Sequence, residues 1–435
     1  MLQIGFIIPS HKHNYEPFRN QPLTELYLLT ILEERFGNKV QLSMIDLRGT
    51  EERHSIYRIP ENDVFLYSAA TLSIDEISRI VKRLRSAYPN AKHIAGGPHI
   101  NLFPGDSAKI FDSIVLGEGE DLIIKVINDI FSSKLKPRYI QKKPVDVDLY
   151  PYPSRKFLPR TAVVDTGVLD NENINLKGTA VVFSRGCPFN CYFCANNNLM
   201  FGPVRYRSPR LVKEEIEYLK KEYEIEALAL KDDNCIPFDK EFAKKFLGYI
   251  SQTKMKWRGQ TRANGVPSDM VKLAKKAGCT DLAIGVESAS QKVLDIINKK
   301  IYLKKAREYI QFLKKTGIGV RVHFIFGLPG ETEDIVKKTL DFINDTNPDS
   351  VLLSLFCPMP GSEIFDNPKR FGLNIETKEW DAYRTAFGRF DEKEHPSLIF
   401  NYNKVTPFGR SMKNEEIIQN FEEVQTILRE RGLNF

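Results

Sequence analysis

Three cysteines, Cys187, Cys191 and Cys194, fall within eight residues of a 435-residue chain that holds only six. So few cysteines in this length do not make a disulfide framework, and their clustering points to metal or redox chemistry in a reducing compartment. The segment SRGCPFNCYFCANN spaces them C-x3-C-x2-C. Three thiolates hold three irons of a cubane cluster and leave the fourth iron open to a ligand. A structural zinc or a plain electron-transfer cluster usually takes four protein ligands, so the missing fourth cysteine carries chemical content. A zinc loop or a set of redox thiols is the rival reading. Pro188 and Asn190 suit the tight loop that wraps a cluster.

Such a loop must be positioned by regular elements, and the chain alternates strand and helix patterns on both sides of it. In residues 1–135, QIGFIIP, VQLSMIDL, DVFLYSAA, KHIAGGP and DSIVLGEG read as strands, with LTELYLLTILEERFG, DEISRIVKRLRSAYP and DLIIKVINDIF as helices. This predicts an α/β domain of the doubly wound, Rossmann-like kind, with ligands at the carboxyl ends of a parallel sheet. Residues 136–175, rich in Pro, Lys and Asp, read as a linker. In 176–375 the strands are TAVVFSR, EALALKD, WRGQTR, DLAIGVE, GVRVHFIFG and SVLLSLFC, separated by helices. Six βα units predict a partial (β/α)6 barrel of the TIM type with its chemistry at the strands' C-terminal ends. Residues 376–435 read as a mainly helical extension ending in EEIIQNFEEVQTILRERG. There Ile417, Ile418, Phe421, Val424 and Leu428 form a packing face.

The strand ends after the cysteine loop carry further candidates. LKDDNCIPF places Asp232 and Asp233 at the second, where a carboxylate suits a bound ammonium and helix capping is the alternative. GQTRANG places Arg262 at the third, suited to a bidentate pair with a carboxylate or to a plain ion pair. GVESAS supplies Glu287 and Ser288 at the fourth. HFIFGLPGET supplies Gly327, Pro329 and Gly330 at the fifth, where glycine permits close backbone approach. His323 and Cys357 are candidate catalytic side chains. Their bland alternatives are a satisfied core histidine and an inert buried thiol. Tyr383, Phe387 and Tyr402 are candidates to close the barrel, and core packing explains them as well.

The cysteine segment, with aromatic Phe193 just before the third cysteine, is similar to the signature of the radical S-adenosylmethionine superfamily, and the strand-end motifs follow in the family's order. The resemblance implies a 4Fe-4S cluster whose open iron chelates S-adenosylmethionine. An electron from the cluster then yields methionine and a 5′-deoxyadenosyl radical that takes hydrogen from substrate. It makes Phe193 a wall for the adenine and sets Asp232 or Asp233 toward the amino group. It sets Arg262 toward the methionine carboxylate, Glu287 with Ser288 toward the ribose hydroxyls, and Gly327 with Pro329 toward the adenine.

The first domain resembles the cobalamin-binding domain joined to many of these enzymes, through QPLTELYLLTILEE, LYSAATLS, AGGPHINLFP and VLGEGE. Ser68, Ala69 and Thr71 would leave room for a corrin face. Gly96, Gly97, Gly117 and Gly119 would let backbone approach the cofactor. The Asp-x-His-x-x-Gly motif of many cobalamin proteins is absent, and PSHKHNYEP offers His11 and His13 without its spacing. Cobalt is therefore expected to lack a lower histidine ligand. A vestigial domain that binds nothing is the alternative.

These resemblances imply transfer of a methyl group from methylcobalamin to an unactivated carbon. The rivals are a cyclase or ring-rearranging enzyme with the same cofactors, and a cofactor-binding sensor with a degenerate site. The expected partners are a small-molecule substrate and an electron donor such as a flavodoxin or ferredoxin.

Composition limits the other classes. Net charge is +7, from 63 basic and 56 acidic residues, too mild a bias to predict nucleic-acid binding. No run of about 18 apolar residues predicts a membrane span. The apolar start MLQIGFIIPSHKHN lacks a basic leader and a cleavage site and reads as a first strand rather than a signal peptide, so a cytoplasmic location is expected.

Overall fold

The structure, a computed structural model, describes residues 1–11, 17–18, 20–169, 175–196, 203–263, 266–377, 379–387 and 397–433. The chain divides into two compact units, Met1–Val163 with Glu379–Tyr383, and Val164–Lys378 with Arg384–Phe435.

Alternate residues of the first strands point to opposite faces, and in the first unit both faces are apolar. Ile4, Phe6 and Ile8 of β1 (Leu2–Ile8) join one buried cluster, and Ile7 joins the other. After β2 (Val40–Asp46), β3 (Val64–Ser68) repeats this, with Val64 and Leu66 on one side and Phe65 and Tyr67 on the other. With β4 (Lys92–Gly96), β5 (Ser113–Leu116) and β6 (Arg138–Ile140) these strands form a parallel sheet ordered β2-β1-β3-β4-β5-β6. Helices Leu23–Phe36 and Glu120–Phe131 cover one face through Leu29, Leu32, Val126 and Ile127. Helix Ile74–Ala87 covers the other through Ile77, Ile80 and Leu84. Each fully buried aliphatic of this kind contributes about 1.5–3 kcal/mol. Strand order reverses between β1 and β3, the switch point at which doubly wound sheets open a ligand crevice, and Ser68, Ala69 and Thr71 lie there.

The stretch read as a linker does more than link. It contributes β6, which pairs with β5 at Ile114↔Arg138, and the chain as far as Val163 belongs to the first unit. Tyr139 is buried with its hydroxyl on Asp129 Oδ2 at 2.8 Å, and the Ser154 N–H donates to Thr30 Oγ1 at 2.9 Å. Three residues of strand amid prolines and lysines are too few to show a period of two.

The second unit begins with β7 (Gly178–Val181), followed by the short antiparallel pair β8 (Ser184–Arg185) and β9 (Arg205–Tyr206). Then come β10 (Ala227–Leu230), β11 (Lys256–Arg262), β12 (Cys279–Glu287), β13 (Gly319–Phe326) and β14 (Ser350–Leu355). β7 and β10 to β14 lie side by side in chain order, all parallel, as an open curled half-barrel sheet. Trp257 on β11 is fully buried, and its Nε1–H donates to the Ala277 carbonyl at 2.9 Å. On β12 to β14 one residue in two is half-buried. Asp281, Ala283, Gly285 and Glu287 alternate with buried neighbours, as do Arg321, His323 and Ile325, and Ser350, Leu352 and Ser354.

The C-terminal extension is less helical than expected. Helix Asn414–Glu430 buries Ile417, Phe421, Val424 and Leu428, and Ile418 is half-buried. However, β15 (Leu373–Ile375) pairs antiparallel with β16 (Phe400–Tyr402), and β17 (Val405–Thr406) with β18 (Gly409–Arg410). Strands of two and three residues leave no pattern in the sequence. Tyr383, fully buried, belongs to the first unit and not to the barrel. The side chain of Phe387 lies outside the described residues. Among the described residues no helix is long and apolar enough to cross a membrane.

Candidate active site around the cysteine loop

The cysteine loop follows β8, and Gly186 opens it at φ +92°. Cys191 is buried, and Cys187 and Cys194 are half-buried. Burial raises the Cys187 thiol and pushes Cys194 up to about 11. As bare thiols they stay protonated, and it takes a bound cation to make them thiolates. Two donors reach the sulfurs. Asn234 Nδ2 stands 3.5 Å from Cys187 Sγ, and Arg262 Nη1 stands 3.3 Å from Cys191 Sγ. N–H groups aimed at sulfur are what tunes cluster-bound thiolates. Among the described residues no three His, Cys, Asp or Glu side chains meet around a single metal ion. Three thiolates that each take a different iron need not do so. The residues present therefore fit an iron–sulfur cluster.

Arg262 does more than the sequence suggests. Its guanidinium stacks on Phe189, with Cζ 3.6 Å from the ring centroid, and Nη2 donates to the Lys299 carbonyl. The expected free partner for a carboxylate is thus committed to the cysteine loop and to the segment after β12. That segment grips the loop twice more, through Tyr192 N–H to Ile297 O at 2.9 Å and Asn298 Nδ2 to Asn190 O at 2.5 Å.

Asp232 and Asp233 separate in role. Asp232 is buried. Its Oδ1 accepts from Phe183 N–H at 3.0 Å and Ser184 Oγ at 2.5 Å, so it ties β10 to the start of the cysteine loop. Burial raises its pKa to about 6, and its Oδ2 has no hydrogen-bond partner. Asp233 accepts from Asn196 Nδ2 at 2.7 Å.

Glu287 ends β12 with φ +73°, a left-handed conformation that a non-glycine residue adopts only under constraint. Its Oε1 receives Lys299 Nζ at 2.6 Å, and both side chains are largely buried. The same ammonium lies 5.7 Å from the Phe193 ring centroid. Gly285 makes room for the pair, because a Cβ there would stand 2.3 Å from Glu287 Oε1. Sequence reasoning missed Lys299, since NKK at 298–300 reads as a solvated charge run. Ser288 is buried, and its hydroxyl accepts from Ser290 N–H at 3.2 Å, which closes the turn.

The loop after β13 is held by groups of its own unit. Gly327 donates its N–H to Glu331 Oε2 at 2.7 Å and accepts the Tyr402 hydroxyl at 2.8 Å. Glu331 is buried, which pushes its carboxyl up to about 8. Pro329 and Gly330 complete this turn. His323, in register with Gly285 and Leu352, has an Nε2 without a partner, and burial lowers its pKa to about 4. It is neutral at ordinary pH. Cys357 follows β14 and is buried.

In the first unit, Thr71 Oγ1 stands 3.3 Å from His99 Nδ1, and burial lowers the His99 pKa to about 4. Ser68 is half-buried at the end of β3. Gly97, at φ +102°, lies against Ala69. A Cβ there would meet the Ala69 nitrogen at 2.8 Å, so the β3 and β4 ends need this glycine for their own approach. Gly96 ends β4, Gly117 follows β5 with its N–H on Asn101 Oδ1 at 2.8 Å, and Gly119 precedes helix Glu120–Phe131. His11 is half-buried, and His13 lies outside the described residues.

A sequence profile of the radical SAM superfamily matches residues 181–343, from the end of β7 to the helix after β13. Residues 181–343 thus carry a radical SAM domain. The chain is 27% identical over 365 residues to the anaerobic magnesium-protoporphyrin IX monomethyl ester cyclase of Rubrivivax gelatinosus, a match covering 78% of this chain but 63% of that one. It is 25% identical over 338 residues to the bacteriochlorophyllide d C-8(2)-methyltransferase of Chlorobaculum tepidum, covering 75% and 72%. The fold is shared with the radical S-adenosylmethionine methyltransferase TsrM of Kitasatospora setae, solved with cobalamin and a 4Fe-4S cluster. The TM-score is 0.72 at 16% identity, over 100% of this chain and 91% of that one. In radical SAM terms, the three thiols, Asn234 and Arg262 gather at the first three strand ends, and Glu287 with Lys299 at the fourth.

Proposed function

We propose that the protein is a cobalamin-dependent radical SAM enzyme that transfers a methyl group to an unactivated carbon of a small molecule. The observation that carries this is the cysteine loop of a six-stranded half-barrel whose next strand ends aim Asn234 and Arg262 at its sulfurs. Cys187, Cys191 and Cys194 would hold the cluster. When bound, the cluster with S-adenosylmethionine supplies the hydrogen-abstracting radical, and cobalamin carries the methyl group.

Around that chemistry the chain's own residues orient and neutralise. Asn234 and Arg262 donate to sulfur. Phe189, stacked on Arg262, keeps water from the buried sulfur of Cys191. Phe193 walls the adenine, Asp232 or Asp233 receives the amino group, and Glu287, with Ser288 closing its turn, receives the ribose hydroxyls. Gly327 and Pro329 present backbone to the adenine. The neutral imidazole of His323 faces the lumen beside Glu287 as a hydrogen-bonding group for substrate, and Cys357 lies at the next strand end. In the first unit, Ser68, Ala69, Thr71, Gly96, Gly97, Gly117 and Gly119 border the cobalamin crevice at the switch point. We place the reaction in the cytoplasm, where thiols stay reduced, with a flavodoxin or ferredoxin as electron donor.

The names of the methyltransferase relatives support methylation, while the cyclase matched over 78% of the chain supports ring closure with the same cofactors as the second reading. Protein reconstituted with iron, sulfide and cobalamin, reduced with dithionite and given methyl-labelled S-adenosylmethionine, decides. Cobalamin absorbance, 5′-deoxyadenosine and label in product are expected. Absence of cobalamin binding or of 5′-deoxyadenosine overturns the proposal, and turnover without label moves it to the cyclase.

A further inference from the structure

We propose that Lys299 is a positioning residue, holding the Glu287 carboxylate in the orientation in which it receives the ribose hydroxyls of S-adenosylmethionine. This rests on the reading above that the cysteine loop and Glu287 bind that molecule.

The pair is built at a cost in backbone conformation. Glu287, Asn298 and Lys300 all have left-handed φ, at +73°, +55° and +54°. Each such non-glycine residue is strained, and it persists where the surroundings compel it. The β12–β13 register shifts between Gly285 and Glu287, which turns the carboxylate at the strand end. Lys299 lies between two of the left-handed residues. Its N–H bonds Leu294 O at 2.9 Å, and its carbonyl receives the guanidinium of Arg262. Its ammonium therefore has little freedom, and it meets Glu287 Oε1 at 2.6 Å with both side chains largely buried.

An ion pair kept only for packing is commonly replaceable by apolar residues without loss, and it has no need of three strained residues. The ammonium engages one carboxylate oxygen, and a carboxylate held in such a pair is an acceptor only. The second oxygen is left to take hydroxyl donors. Through its carbonyl on Arg262, which reaches Cys191 Sγ, Lys299 also ties this acceptor to the cysteine loop.

The test uses cluster-reconstituted enzyme, with S-adenosylmethionine affinity by calorimetry, iron content, thermal melting and the concentration dependence of 5′-deoxyadenosine formation. Lys299→Met should raise the dissociation constant and KM about tenfold or more, with iron content unchanged and a smaller change in kcat. Lys299→Arg, which keeps the charge, should recover most of the affinity. Wild-type affinity in Lys299→Met overturns the proposal. If Lys299→Met does not fold, Lys299→Gln, which keeps a donor but not the charge and leaves Glu287 in place, decides. Weak binding by the folded protein supports positioning, and wild-type affinity overturns it. Should the wild-type enzyme with full iron content bind no S-adenosylmethionine, the proposed function has failed. Should it bind and Lys299→Met bind equally, only the role of Lys299 has failed.

Discussion

The two parallel sheets are written in the same alternation of strand and helix, yet they treat their faces differently. In the first unit β1 and β3 bury apolar residues on both sides. In the second unit one face of β12 to β14 carries Asp281, Glu287, Arg321 and His323, half-buried and alternating with fully buried neighbours. Parallel strands covered on both faces read as continuous apolar runs. Half-buried residues at every second position, charged and polar ones among them, therefore mark a face turned to a lumen. The first sheet can hold a ligand only beyond its edge, whereas the second can hold one inside its curve.

Substitutions on the two sheets should accordingly separate two activities. The largest effect is expected from Cys191→Ser. It should abolish cluster absorbance and bring 5′-deoxyadenosine to background, while cobalamin retention by the first unit stays as in the wild type. Loss of both together would show that the two units do not act separately. The converse is Gly97→Ala, which places a Cβ 2.8 Å from the Ala69 nitrogen at φ +102°. Strain and overpacking together should cost about 2–4 kcal/mol, read as a lower melting midpoint. Cobalamin binding should weaken, and 5′-deoxyadenosine formation per intact cluster should persist. An unchanged midpoint would refute the close approach of the β3 and β4 ends.

Much of this contrast was readable in the sequence, because it depends on local pattern. The six barrel strands and the cysteine loop were legible from period-two runs and spacing. Glu287, at the end of DLAIGVE, was legible as a strand-end carboxylate. Lys299 was not, because its burial depends on left-handed backbone at residues 298 and 300 and on the space left by Gly285. Arg262 was found, as a partner for a carboxylate or in a plain ion pair, but its further contacts were not legible, since no spacing rule brings Phe189 or the Lys299 carbonyl to it. β6 and the short strands of the extension were missed because two or three residues show no periodicity. The placement of Tyr383 with the first unit was missed because it depends on a contact far away in sequence.

The smallest effect concerns acid. Burial lowers the pKa of His93 and His99 in the first unit and of His323 in the second to about 4. Unfolded, each takes up a proton near 6.5. Between those values the unfolded chain binds more protons, so stability is complete above about pH 6.5 and falls as the pH drops toward 4. The loss is at most about 3 kcal/mol per histidine, and it should be smaller for the half-buried ring of His323. Substituting each histidine by Gln and melting the protein at pH 7 and pH 5 separates the shares. His99→Gln should flatten the acid slope of the first unit alone, as read by cobalamin retention. His323→Gln should flatten that of the second, as read by cluster retention. Equal slopes in wild type and both variants would mean that these rings are solvated, and the contrast drawn for His323, a neutral imidazole held inside a half-barrel, would fail with them.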